Sequence, residues 1–294
     1  MKISVTITSY NQIRFLAEAI DSVLGQSLQP DHILIIDDNS SDGSQELIKA
    51  YKANHPDLVD ILLHERNLGI SQTRNEAIEY CKGELHTFLD GDDRFLSEKI
   101  ESEYHLMVEN DFNVIVFGNF YFIDTNGNRL YSWLDEIIQP PGDTFKQVFS
   151  RDFPKGSLFR SELVNADVYR DSGGFDSRLE NLYEDYDMRI RISKKNRAVY
   201  CNRILSEYRI HPGGLSRVNK SKHIRALKYI YDKNKVLLND IPLPDKRYIT
   251  RKYMNLLSRM SFLASKEAVS KHEYGKAINL ASDCISFKYK NMMT

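Results

Sequence analysis

The segment ISVTITSYNQIRFLAEAIDSVLGQSLQPDHILIIDD, residues 3–38, passes from one periodicity to another and back. Ile3 to Thr8 alternate as a half-buried strand does. After Asn11 the apolar positions Ile13, Leu16, Ala17, Ile20, Val23 and Leu24 follow helical spacing, and His32 to Asp37 returns to a strand. The strand ends in DDNSSDG and gives way to a helix carrying Leu47, Ile48 and Tyr51, with Ser and Asp placed to cap it. A third strand, Val59 to His64, and a helix from Ser71 to Cys81, stopped by Gly83, complete a third unit before the run Leu85 to Leu89. Three strand–helix alternations predict an α/β fold with a Rossmann-like, mostly parallel sheet flanked by helices. Ligands of such sheets sit outside the carboxyl ends of the strands, which brings Thr8 to Asn11, Asp37 to Ser41 and Asp90 to Asp93 to one rim.

The alternation then breaks down. A helix from Ser97 to Glu109, the apolar strand Val114 to Ile123 and an Asn126-Gly127 turn into another strand predict mixed strand directions. Glu184 to Lys194 reads as a helix following Gly173-Gly174-Phe175. Val199 to Ile210 supplies strand segments before the turn His211-Pro212-Gly213-Gly214. The catalytic domain is expected to span residues 1–216. Residues 217–294 form a helical C-terminal extension, broken at Ile241-Pro242-Leu243-Pro244, with apolar repeats at Leu256, Leu257, Met260, Leu263 and Ala264. Residues His272 to Phe287 have the spacing of one unit of a helical-hairpin repeat.

A chain of 294 residues with 41% hydrophobic content can bury one large core. The net charge of −1 argues against nucleic acid as a partner. Three scattered cysteines, Cys81, Cys201 and Cys284, suit neither a disulfide framework nor a zinc site. No run of about 18 apolar residues occurs, and the N-terminus leads straight into a strand. The chain is therefore expected neither to cross a membrane nor to carry a secretion signal, and to be cytoplasmic.

The densest chemistry lies in Asp90-Gly91-Asp92-Asp93, three carboxylates at a strand end. Such groups repel unless a cation sits among them, and oxygen ligands suit Mg²⁺ or Mn²⁺ completed by phosphate oxygens and water. The competing reading is an acidic turn capping the helix at Ser97. Asp37 and Asp38 close a neighbouring strand, where they either accept from a ribose or base or cap a helix. Glu184-Asp185-Tyr186-Asp187 opens a helix whose dipole favours ionised carboxylates; the same pattern also serves plain helix stability.

VTITSYN, IIDDNSSDGS, NLGISQTRNEAI, FLDGDD and GGFDSRLENLYEDYDMRIR occur in the order seen in family 2 glycosyltransferases of the GT-A fold, which residues 1–216 resemble. The resemblance implies an inverting transferase in which Thr8 and Tyr10 line the nucleotide pocket and Asp38 holds the base or ribose. Arg74 would bind the pyrophosphate or close over the base. Asp90 would lie near the ribose and first sugar and Asp92 at the metal, with Asp93 sharing that contact. Asp185 would be the general base, with Glu184 and Asp187 as substitutes, and His211 would approach the metal or diphosphate.

By the same resemblance the donor is a nucleotide sugar, most commonly UDP-linked, and the acceptor a glycan, or a lipid-linked glycan in surface polysaccharide assembly at the inner face of a membrane. Arg247, Arg251, Lys252 and Arg259, interleaved with Tyr253, Leu256, Leu257 and Met260, would meet anionic headgroups or a partner helix, or belong to an ordinary amphipathic helix packed on the catalytic domain. Self-association is left open. Rival readings are an inactive nucleotide-sugar or glycan binding module, a sugar nucleotidyltransferase, and a phosphohydrolase with an aspartate nucleophile.

Overall fold

The computed structural model describes residues 1–135, 144–153, 157–179, 182–211 and 220–292. The expected strand–helix alternation is present: β1 (Ile3–Ser9), α1 (Ile13–Leu24), β2 (His32–Asp37), α2 (Ser44–Asn54), β3 (Val59–Leu63), α3 (Ile70–Tyr80) and β4 (Leu85–Asp90). After it come β5 (Arg94–Phe95), α4 (Lys99–Glu109), β6 (Val114–Ile123), β7 (Arg129–Ser132), α5 (Phe145–Ser150), β8 (Val164–Asn165), α6 (Ala166–Asp171), α7 (Glu184–Lys195) and β9 (Arg197–Arg209). Three long helices follow, α8 (Lys220–Asn234), α9 (Leu243–Ser270) and α10 (Tyr274–Met292).

The main sheet has the order β3-β2-β1-β4-β8, with β1 to β4 parallel and β8 antiparallel to β4. A second sheet, β5-β9-β6-β7, pairs β6 and β9 in parallel and both edges antiparallel. Leu163, just before β8, exchanges two backbone hydrogen bonds with Val116 of β6, so one short segment ties the sheets together. The mixed directions expected after Asp93 are thus observed.

Alternation along the strands sorts side chains into two cores. Ile33 and Ile35 of β2 and Val114 and Val116 of β6 join Leu16, Ile20 and Val23 of α1 on one side. Leu34, Ile36, Ile115 and Phe117 face the other way, into a core shared with Tyr186, Leu227, Tyr253 and Leu257. The helices after Lys220 therefore finish the second core. The expected domain end near Ser216, and Pro212 to Gly214 of the expected turn, lie outside the described residues.

The aspartate expected to cap α2 does so: Asp42 accepts from the backbone N–H of Ser44 at 3.1 Å and also from that of Ile13 at 2.9 Å, so one carboxylate caps α1 and α2 together. One local expectation needs correction. Gly83 ends no helix by a left-handed turn. It is there because a Cβ would sit 2.6 Å from the Ser4 backbone nitrogen, and β1 could not approach so closely otherwise.

Candidate active site

Parallel register sets the rim. Thr8 lies opposite both Ile36 and Asp90, and Ser9 opposite Asp37, so three strand ends finish level with one another. Together with α3, α7, the end of β9 and the segment 157–162 they enclose a cleft of about 860 Å³. Of the residues singled out above, Thr8, Tyr10, Asp38, Arg74, Asp90, Asp92, Asp93, Glu184, Asp185 and His211 line it, whereas Asp37 and Asp187 do not.

They are held differently. Thr8 donates to Asp90 Oδ1 at 3.1 Å, and Arg74 donates to the same oxygen at 2.6 Å. Arg74 also donates to Glu184 Oε1 at 2.8 Å and lies over the rings of Phe88 and Phe175. Its guanidinium thus links the end of β4 to the start of α7. Tyr10 stands 47% exposed at the mouth, leaving an aromatic face free for a planar ligand. Asp38 is buried and accepts from the backbone N–H groups of Leu68 at 2.7 Å and Gly69 at 2.8 Å, with His64 Nδ1 2.8 Å away. It fixes the loop that precedes α3 at the edge of the cleft. Asp37 accepts from the N–H of Ser40 at 2.8 Å, from its hydroxyl at 2.6 Å and from the side-chain amide of Gln45 at 3.1 Å, which holds the loop that follows β2.

Within Asp90-Gly91-Asp92-Asp93 the three carboxylates point three ways. Asp90 turns to Arg74, and Asp92 lies 2.8 Å from His211 Nε2. Asp93 is buried and accepts from the backbone N–H of Arg209 at 2.8 Å, which ties the loop to β9. Burial, with Asp92 and Asp90 close by, pushes its carboxyl well above the ordinary range. Gly91 keeps the turn tight: its N–H donates to Thr8 O at 2.8 Å, and a Cβ would meet that oxygen at 3.0 Å and Gln12 Oε1 at 2.6 Å. Among the described residues no group of three His, Cys, Asp or Glu gathers as a ready-made metal cage. The Asp92–His211 pair offers two protein donors on an open wall, which fits a hard cation that keeps waters and substrate oxygens in its shell.

The opposite wall is α7. Tyr183, in a left-handed conformation with φ 65°, precedes it. Asp185 Oδ2 receives the guanidinium of Arg189 one turn on, and Arg189 in turn grips Glu162 with donors at 2.9, 3.1 and 3.2 Å. Burial disfavours the Asp185 charge, but Arg189, Arg160 and Arg74 outweigh it and hold the carboxyl below its usual range. Glu184 moves the other way, pushed up to about 7 by burial and by Asp185 despite Arg74. Two adjacent carboxyls with opposite shifts mark Asp185 as the ionised one. Asp187 is fully buried beneath α8, held by Lys233 at 2.8 Å and Asn234 at 2.7 Å, and faces away from the cleft.

The sequence reading passed over Arg160, Glu162, Arg189, Tyr208 and His223, which also line the cleft. Arg189 stands four residues after Asp185, a helical pair spacing that was there to be used. Glu162, Arg160 and His223 arrive from distant segments, and only the fold brings them in.

The profile of the family described as Glycosyl transferase family 2 matches residues 4–165. The chain belongs to glycosyltransferase family 2. The matched part holds the rim and the Asp90–Asp93 loop, whereas α7 and His211 lie beyond it. A diphosphoundecaprenol β-1,3-glucosyltransferase of Escherichia coli, WfgD, is 26% identical over 232 residues, covering 76% of this chain and 82% of its own. The putative teichuronic acid biosynthesis glycosyltransferase TuaG of Bacillus subtilis is 27% identical over 232 residues, with 78% and 86% covered. Among solved structures, residues 1–349 of S. aureus TarS in complex with UDP-GlcNAc match with a TM-score of 0.72 at 18% identity, over 98% of this chain and 81% of that one. The sheet and flanking helices of this glycosyltransferase are the GT-A fold.

Proposed function

We propose that this glycosyltransferase moves a sugar, with inversion, from a nucleoside diphosphate sugar to a hydroxyl of a glycan or lipid-linked glycan in surface polysaccharide assembly, at the inner face of a membrane. The observation that carries the reading is that one cleft sets an ionised Asp185 against the Asp90–Asp92 rim. Support for a UDP-sugar donor comes from WfgD, whose name specifies UDP-Glc, and from TarS, crystallised with UDP-GlcNAc. Support for the acceptor class comes from the diphosphoundecaprenol substrate of WfgD and the teichuronic acid role given to TuaG.

In the proposed reaction the acceptor hydroxyl attacks the anomeric carbon as Asp185 takes its proton. The bond from that carbon to the β-phosphate oxygen breaks, and its electron pair leaves with the nucleoside diphosphate. Arg189, itself anchored on Glu162, fixes Asp185 in its charged form. Arg74 holds Asp90 and Glu184 in place beside the sugar, and Tyr10 offers a face to the base. Asp92 and His211 would hold Mg²⁺ or Mn²⁺, which when bound offsets diphosphate charge.

The test is release of nucleoside diphosphate from a panel of nucleotide sugars with Mn²⁺. Asp185→Asn should lower kcat by about 10²–10⁴-fold while leaving donor affinity, measured by calorimetry, within about twofold. Unchanged turnover in that variant would remove Asp185 as the base. Absence of both turnover and nucleotide-sugar binding in the wild type would favour a binding module without activity.

A further inference from the structure

Six arginines line the cleft: Arg14, Arg74, Arg151, Arg160, Arg189 and Arg209. Arg74 and Arg189 are committed to carboxylates as described. Arg209 donates to Glu18, to the Asp92 carbonyl and to the Asp124 carbonyl. Arg14 reaches Thr125 O and Asn126 Oδ1 at 3.4 and 3.5 Å. Arg151 lies over the rings of Tyr183 and Tyr186 and has a further interaction. Arg160 differs from these five. Among the described residues its guanidinium donates to no acceptor, its Nε is shut off from solvent without a partner, and it stacks 3.7 Å from the centre of the Tyr208 ring.

Asp93, Asp185 and Asp90 all act on Arg160 through space, and with Tyr208 they keep it charged against its burial. None of the three carboxylates bonds to it. Asp90 is taken by Thr8 and Arg74, Asp185 by Arg189 and the Tyr186 N–H, and Asp93 by the Arg209 N–H. A planar fork of N–H donors, fixed by an aromatic face and left without acceptors among carboxylates already engaged, is suited to an anion brought in from outside.

We propose that Arg160 binds the donor's diphosphate on its β-phosphate, contacting the oxygen that receives the electron pair when the bond to the anomeric carbon breaks. This rests on the donor class proposed above. Its place fits that task, because it lies within electrostatic reach of Asp90 on the donor rim and of Asp185 on the acceptor side. It would give the leaving group a cation of the protein's own, separate from any metal held by Asp92 and His211.

Calorimetry on the full chain, with a panel of nucleoside diphosphates and the matching monophosphates, tests the assignment. Arg160→Gln should weaken the preferred diphosphate by tenfold or more and leave the monophosphate, which lacks the β-phosphate, unchanged. Arg160→Lys should fall between, since it keeps a point charge and loses the fork. It also carries the test alone should Arg160→Gln fail to fold by circular dichroism. Unaltered diphosphate affinity in a folded variant overturns the assignment. Equal loss of both ligands does too, because it would make Arg160 part of the wall only. A wild type that binds no nucleotide in the panel sinks the donor class itself, and this inference with it.

Discussion

Asp185 and Gly91 show how single positions set the chemistry. As the base proposed above, Asp185 would be a weak proton acceptor, since its arginine neighbours hold its carboxyl below the usual range, so its contribution would depend on where Arg189 puts it rather than on basicity. Gly91 works by having no side chain. In Gly91→Ala the new methyl would press on Thr8 O and Gln12 Oε1, and only the glutamine can swing aside, so the Asp90–Asp92 loop must shift. Turnover should fall by up to about 10²-fold with the melting temperature little changed. A variant with wild-type kinetics would mean that the loop finds room. The glycine's place among three carboxylates was legible in the sequence. Its close contact with β1 was not, because the backbone oxygen it must avoid lies more than 80 residues away in the chain.

Helix α7 is held from behind. Lys233 of α8 donates to Asp187 and Asp176, both at 2.8 Å, and Tyr229 donates to Asp176 as well. Lys233→Met should cost about 3 kcal/mol in urea unfolding, at the low end for breaking a buried pair, because Arg191 and Asn234 still hold Asp187. A loss under 1 kcal/mol would show the clamp to be idle. Asp176 has a side chain only 6% exposed, and its burial is outweighed by bonds from Arg178, Lys233 and Tyr229, leaving its folded pKa depressed. Its share of the stability is present above about pH 4, the unfolded value, and is lost as pH falls through the folded one, so the gap between wild type and Lys233→Met should narrow in acid. At this scale the first four strands and α1 to α3 were readable because each repeats one period over several turns. The parallel pairing of β6 with β9 and the two-residue β8 were not, since pairing partners so distant leave no periodic trace. The basic stretch of α9 was half readable. Tyr253 and Leu257 proved to be core, the plain amphipathic alternative, while Arg247, Arg251 and Arg259 are exposed.

The whole molecule is electrically lopsided. Residues 220–294 carry 16 Lys and Arg against 6 Asp and Glu, an excess of ten positive charges; with 40 and 41 in the entire chain, residues 1–219 hold 24 against 35, an excess of eleven negative ones. Phe262, Leu263 and Val269 of α9 and Tyr274, Ile278, Ile285 and Tyr289 of α10 are large and exposed, and no helix among the described residues is long and apolar enough to cross a membrane. If the proposed lipid-linked acceptor is met at an anionic surface, the full chain should sediment with phosphatidylglycerol vesicles and not with phosphatidylcholine, and Ile278→Ser with Ile285→Ser should weaken that binding at least fivefold while nucleotide affinity stays put. Equal sedimentation with both lipids, or with neither, would remove the surface role. The joint between α7 and α8 carries a lesson for anyone recombining such enzymes. Tyr253 of α9 donates to Leu227 O and packs on Phe149, whose carbonyl accepts from Tyr186 next to Asp185. A chimera cut in front of Lys220 would therefore pull the scaffolding from under Asp185, and a new C-terminal tail has to be grafted together with the face of α7 it leans on.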